Sequence, residues 1–220
     1  MDDSKSLEET GDAKNRKQKR GLLTRQNLLR SARTIFARDG FEHARIEDIA
    51  LEAGKTRGAF YDNFEDKEDV FFAIFEDNIS RDMAVLTPRL LSFPEVGQRI
   101  DAMAAYLSEV SKNEERLLLH LEFKLYAIRH PQKRKRLANL HAMMCLNSCI
   151  PELQTLIPQI VGPDKKSQMV NSLVLGGIFD GLSLNHLFDP DVLCDEVVAR
   201  YLKLCLGEMI EENVAEPVKQ

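Results

Sequence analysis

Between Thr24 and Phe64 the apolar residues recur at helical spacing and are interrupted twice by glycine, so only short helices joined by tight turns fit this stretch. Leu28, Leu29, Ala32, Ile35 and Phe36 form the first stripe, with Thr24 as the expected cap and Gly40 as the left-handed stop. Ile46, Ile49, Ala50 and Ala53 form the second stripe, which ends at Gly54. Thr56 is then placed to cap a third helix, with Phe60 and Phe64 one turn apart on its buried side. Two short helices meeting across a tight glycine-containing turn make a helix-turn-helix arrangement.

The remainder continues in helices. Asp66 is the expected cap of a fourth, running from Lys67 to about Leu86 before Pro88, with Val70, Phe71, Ile74 and Phe75 inward. Further helices are read over 95–111, 114–130, 132–159 with breaks at Pro151 and Pro158, 164–187 and 191–212. No strand alternation interrupts them, and the expected fold is all-α: an N-terminal three-helix helix-turn-helix domain plus a larger C-terminal helical domain. The expected divisions are a flexible basic arm over 1–21, the helix-turn-helix over 22–66, a helical domain over 67–212 and a tail over 213–220. The longest apolar stretches, such as 173–179, fall far short of the roughly 18–20 residues of a bilayer span, so no membrane partner is expected. An acidic, polar start is unlike a secretory signal, and four cysteines in 220 residues make no disulfide framework; a cytoplasmic location is expected.

The net charge of −5 conceals an asymmetry. Residues 14–67 carry thirteen basic groups against eight acids, whereas 68–220 carry sixteen against twenty-two. A basic end on an acidic body suits a chain of which one end meets a polyanion.

The stretch from Gly40 through Ile49-Ala50, Ala53-Gly54 and Gly58-Ala-Phe-Tyr61 to Phe64 and Lys67 resembles the DNA-binding domain of the tetracycline-repressor (TetR/AcrR) family of bacterial transcription regulators. The resemblance covers about residues 22–79; beyond it the chain is similar to the family only in length and helical pattern. It implies a transcription regulator, most commonly a repressor, that binds double-stranded DNA as a homodimer on a pseudo-palindromic operator. A small-molecule effector in the larger domain would tilt the fourth helix and move the two reading heads out of groove spacing. No enzyme activity, cofactor or metal is implied.

With Phe60 and Phe64 inward, Gly58, Ala59 and Asp62 project outward, and Arg57, Tyr61 and Asn63 flank them. The resemblance implies that Tyr61 and Lys67 bind phosphates, that Thr56 caps the helix and touches the DNA backbone, that Arg57 reaches a guanine edge, and that Asn63 contacts a phosphate or base. Gly58 removes bulk where a helix must approach the duplex closely. Arg45 stands where the family usually has a Thr or Ser cap, which weakens the cap and offers another phosphate contact. Asp62 is an acid facing the expected DNA side. Either it accepts from a cytosine amino group, or it pairs with Arg57.

In the larger domain, Met103, Tyr106, Phe123, Tyr126, His141, Met144, Cys145 and Phe179 are candidates for an apolar or aromatic effector's pocket, with His120 and Glu122 as further polar anchors. The candidate dimer interface comprises Val170, Leu173, Val174, Gly177, Ile178, Gly181 and Leu182, then Val198, Tyr201, Leu202 and Cys205, its glycines permitting close helix approach. His141, Cys145 and Cys149 share a helical face but lack a fourth metal ligand, so a core role is expected. Lys133–Arg136 reads as a solvated face. A ligand-independent nucleoid or partitioning protein would use the same helix-turn-helix. A Cys/His enzyme is the remaining alternative, but no glycine-rich phosphate cradle or nucleophile elbow accompanies it.

Overall fold

Helix propensity carries the first element further than its apolar stripe. In the computed structural model, which describes the backbone of residues 3–215 and the side chains of 15–209 apart from 16, 17, 148, 150 and 159, helix α1 spans Asp3–Asp39. Thr24 is therefore an interior residue and not a cap. The basic segment 14–21, expected as an arm, is continuous with the helix. Lys, Arg, Gln and Glu are good helix formers and no proline interrupts them, so Gly21, at roughly 1 kcal/mol, is insufficient to stop the helix. Residues 1 and 2 of the expected arm lie outside the described residues.

The chain divides into two compact units, 1–74 and 75–220, so the division falls after Ile74 and not after residue 66. In the first unit α1 is followed by α2 (Ile46–Glu52), α3 (Arg57–Tyr61) and the start of α4 (Lys67–Leu91). Gly40 (φ 76°) and Gly54 (φ 63°) turn the chain in the left-handed region that a side chain rarely adopts. Leu28, Ile35, Phe36, Phe41, Ile49, Phe60, Phe64, Phe71 and Ile74 are all essentially excluded from water. Phe36, Phe41 and Phe71 meet in tilted and edge-on contacts, at ring-centroid distances of 5.0 Å and 5.8 Å. Asp66 caps α4 as expected, its Oδ1 accepting from the Asp69 N–H at 2.8 Å.

α4 passes through Pro88 to Leu91 instead of stopping near Leu86. Leu86 and Leu90 are both buried, and their burial holds the last turn despite the missing proline N–H. The second unit continues with α5 (Val96–Val110), α6 (Glu114–Arg129), α7 (Pro131–Ser148), α8 (Ile150–Leu156), α9 (Pro158–Val161), α10 (Lys165–Phe188) and α11 (Asp195–Ala215). Pro151 and Pro158 fall in the first turns of α8 and α9, at positions where no helical N–H is needed. α5 and α11 hold the core, with Met103, Tyr106, Val198, Leu202 and Leu206 buried among Leu86, Leu90, Leu156, Ile157 and Ile160. Asn113 caps α6, and Asp164 caps α10 by accepting from the N–H groups of Lys166 and Ser167. α11 extends past the expected start of the tail at residue 213, and 216–220 lie outside the described residues. No strand occurs among the described residues, and no helix there is long and apolar enough to cross a membrane.

Candidate nucleic-acid interface

The turn between α2 and α3 is closed by backbone bonds: the Gly54 N–H donates to Leu51 O at 2.9 Å and the Lys55 N–H to Ala50 O at 2.8 Å. Thr56 then takes an extended conformation, and its Oγ1 accepts from the Ala59 N–H at 3.2 Å, the expected cap of α3. Arg45 precedes α2 without a side-chain cap and stands exposed. Phe60 and Phe64 anchor α3 from beneath, their ring centroids 5.7 Å apart. Arg57, Gly58, Tyr61 and Asp62 consequently face outward, with Ala59 and Asn63 half-buried.

A Cβ at Gly58 would meet only Thr56 Oγ1, at an ordinary 3.7 Å. No atom among the described residues therefore requires glycine there. Glycine there costs a helix up to about 1 kcal/mol relative to Ala.

Arg57 is held on two sides. Its Nη1 lies 2.8 Å from Glu47 Oε1 on α2, and its Nη2 donates to the Tyr61 hydroxyl at 3.3 Å, with the guanidinium 5.5 Å from the Tyr61 ring centroid. The bond to Tyr61, followed by the charge of Glu47, raises the guanidinium pKa further. The expectation that Asp62 pairs with Arg57 is thus corrected: Asp62 has no ion-pair partner among the described residues. Five positions along a helix is about 140° around it, so Asp62 points away from Arg57 while Glu47 faces it.

Two further expectations change. The Lys67 ammonium donates to the carbonyls of Phe41, Glu42 and Ala44 at 2.9, 2.8 and 2.8 Å. Three protons meet three acceptors, so Lys67 clamps the turn between α1 and α2 and has none left for a phosphate. Asn63 Nδ2 donates to Ala59 O at 2.8 Å, and Asn63 O accepts from Arg25 at 2.9 Å while the Arg25 guanidinium lies 4.2 Å over Phe64. Asn63 therefore finishes α3 and ties it to α1. Glu47 and Arg25 are neighbours of the α3 segment that the sequence pattern missed, because only the crossing of helices brings them there.

In the second unit the eight pocket candidates do not form one set. Met103 and Tyr106 belong to the apolar core, with Phe179 packed on it, and the Tyr106 hydroxyl donates to Asp82 at 2.7 Å. Phe123 is buried, and Met144 and Cys145 are half-buried. The Tyr126 ring packs at a tilt against His130, centroids 4.3 Å apart, and its hydroxyl accepts from Lys133 at 2.8 Å. His141 belongs to a polar cluster: its Nε2 lies 3.1 Å from His120 Nε2, His120 Nδ1 lies 3.0 Å from Asp180 Oδ1, and Lys124 pairs with Asp180 Oδ2. Phe75 packs on both imidazoles, at 5.4 and 4.7 Å. Burial, then the charge of His120, pushes His141 down to about 4. Burial alone would raise Asp180, but the bonds and charges of His120 and Lys124 outweigh it and hold the carboxyl below the usual range. The sequence clue to this cluster is Asp180 itself, an acid inside the apolar run 173–187. Cys149, half-buried, donates its Sγ proton to Cys145 O at 3.0 Å, and burial pushes that thiol up to about 12.

The dimer candidates divide as well. Val170, Leu173, Val174, Gly177, Gly181 and Tyr201 are exposed, and a Cβ at Gly177 or Gly181 would meet nothing within 4 Å. Val198 and Leu202, both 0% exposed, belong instead to the chain's own core, with Ile178 and Leu182 half-buried against it and Cys205 half-buried. They lie on the α11 face turned to α5, and an interface cannot use what the protomer already covers. Leu184, Phe188, Val192 and Leu204 are exposed apolar groups close to these in sequence.

A glycine-punctuated α2–turn–α3 pair with a polar outer face, followed by a separate helical unit, defines the class of helix-turn-helix DNA-binding regulators. Residues 28–74 match the family described as bacterial regulatory proteins, tetR family. The HTH-type transcriptional regulator AcrR of Shigella flexneri is 28% identical over 173 residues, 76% of this chain and 80% of the relative. The HTH-type transcriptional repressor AcnR of Corynebacterium glutamicum is 34% identical over 94 residues, 40% of this chain and 50% of the relative. A crystal structure of a transcriptional regulator from Rhodococcus sp. Rha1 shares the fold at a TM-score of 0.61 and 19% identity, over 88% of this chain and 99% of that one. Over residues 28–74 the chain carries the domain that characterises the tetR family of bacterial regulatory proteins.

Proposed function

We propose that the chain is a ligand-responsive, sequence-specific repressor. It acts as a homodimer on a pseudo-palindromic operator, placing the outer face of α3 in successive major grooves about 34–36 Å apart. The observation that carries this reading is the outer face of α3, where Arg57, Tyr61 and Asp62 surround a glycine that no atom among the described residues requires. Arg57 reads a guanine edge, Tyr61 and Arg45 contact phosphates, Thr56 supports α3 and touches the backbone, and Asp62 accepts from a cytosine amino group. Ala59 lines the close approach beside Gly58. Asn63 and Lys67 support the head from within.

The exposed apolar side of α10, with Tyr201 and Leu204 of α11, forms the subunit interface, since an uncovered patch of this kind calls for a partner. The effector, a small apolar or aromatic molecule, binds in the second unit. α4 is the continuous connection: its first residues belong to the first unit, and Phe75, the first residue of the second, packs on His120 and His141.

The test is selection of bound fragments from the genome, followed by footprinting and sedimentation. The reading expects a two-fold related site protected by a dimer, released by a small molecule related to the neighbouring genes. A monomer without preference for any fragment over random duplex would overturn it.

A further inference from the structure

The contact between Glu47 and Arg57 joins two residues ten positions apart, one in the first turn of α2 and one at the first position of α3. It is exposed on both sides, with 62% of the Arg57 side chain and 53% of the Glu47 side chain accessible, so it adds little to the stability of the fold. Its geometry is informative for another reason. Glu47 takes one proton of Nη1 at 2.8 Å and the Tyr61 hydroxyl takes one of Nη2 at 3.3 Å. A guanidinium has five N–H donors, so one proton on each Nη and the Nε proton remain available. Those are the donors that address the O6/N7 edge of guanine in bidentate fashion. Without a fixed neighbour, an exposed arginine beside DNA swings among phosphates and bases, and its contribution is sequence-independent.

We infer that Glu47 is a specificity-determining positioning residue: it holds Arg57 over Tyr61 so that the guanidinium meets a base edge instead of a phosphate, trading general affinity for discrimination. The inference rests on the DNA-binding reading proposed above. Glu47 touches no base in this scheme; it acts through Arg57 and repels phosphates that would otherwise draw the guanidinium away. Its position in the first turn of α2, where an acid also favours the helix, offers a purely structural alternative that the experiment must separate.

The full-length protein and its Glu47→Gln, Glu47→Ala, Arg57→Ala and paired Glu47→Ala/Arg57→Ala variants are compared on three probes: the selected operator, operators with each half-site base pair substituted in turn, and a random duplex, each over a salt series. For Glu47→Ala the expected results are a severalfold gain on random duplex and a five- to tenfold loss of operator preference. That loss is concentrated at one base pair per half-site and is absent when Arg57 is already Ala. Glu47→Gln follows in the same direction with a smaller change. Unfolding midpoints of all four variants report folding directly, and a purely structural role would lower the midpoint and reduce binding at every base equally. Unchanged preference in Glu47→Ala, a uniform loss across all positions, or the same effect with and without Arg57 would overturn the inference while leaving operator binding itself intact. Failure of the unsubstituted protein to prefer its operator would instead remove the reading on which the inference depends.

Discussion

Helices α3 and α10 differ in what they bury and in what they leave exposed. In α3 the buried side is apolar, with Phe60 under the helix and Phe64 just beyond it, and the outer side carries Arg57, Tyr61 and Asp62. In α10 the fully buried residues are the polar Asp180, Ser183 and His186, beside Leu175, Ile178, Phe179 and Leu182 half-buried against the core, while Val170, Leu173, Val174 and Leu184 are exposed. The difference teaches that exposure alone does not identify a surface's partner; the chemistry left uncovered does. A polar face mounted on an aromatic anchor suits a hydrated polyanion. The apolar residues that α10 leaves exposed suit a dry, apolar counterpart.

The polar residues buried on α10 carry their own cost. Asp180 is compensated by His120 and Lys124, and His186 Nδ1 lies 2.7 Å from Leu193 O. The Ser183 hydroxyl is the one buried side-chain N or O atom among the described residues without a hydrogen-bond partner. Such polar networks are costly when incomplete, so this region is more sensitive to solution conditions than the aromatic core of the first unit.

The largest expected effect tests the anchor. Phe60→Ala should cost about 3–5 kcal/mol in denaturant unfolding, since the ring is wholly buried. Tyr61→Ala, one residue along but exposed, should leave the unfolding midpoint nearly unchanged and weaken operator binding. Equal losses of stability in the two variants would erase the distinction between the faces of α3.

Acid should separate the two regions next. The folded state keeps His141 neutral down to about pH 4, whereas the unfolded chain protonates it near 6.5. The unfolded state therefore binds more protons in this window, and stability falls as pH drops from about 6.5 to 4, by up to about 3 kcal/mol. Asp180, whose carboxyl is depressed, adds a further loss below the ordinary carboxylate range as it too is protonated. Hydrogen exchange measured across this range should show protection declining first in α6, α7 and α10. A His141→Gln variant with the same acid sensitivity as the parent would count against the cluster as its source.

At the third level, Thr56→Ala should cost about 1 kcal/mol by removing the cap of α3, visible in thermal unfolding. Smaller still, Gly58→Ala should stabilise the isolated protein by up to about 1 kcal/mol, because the helix gains propensity and the new methyl meets no obstacle. The same substitution should weaken operator binding. A variant both more stable and equally tight on DNA would show that close approach is not why glycine stands there. For α10, Leu173→Glu should shift the sedimentation profile toward monomer with little change in protomer secondary structure. Leu202→Ala, in the core, should instead lower stability.

The sequence pattern alone disclosed the all-α class, the two glycine stops, the caps at Thr56 and Asp66, and the inward pair Phe60 and Phe64. These are local properties: helical periodicity, φ preference and capping depend on residues a few positions apart. It misjudged the start of α1 and the end of α4, where propensity or burial outweighed a plausible stop signal. Only tertiary structure decided that Glu47 and not Asp62 pairs with Arg57, that the three protons of Lys67 close on the chain's own carbonyls, and that Val198 and Leu202 face inward while Leu173 does not. Each of these depends on which helix crosses which and at what rotation. Periodicity reveals that a helix has an apolar face, but the neighbour against which that face turns is set by packing among segments far apart in the chain.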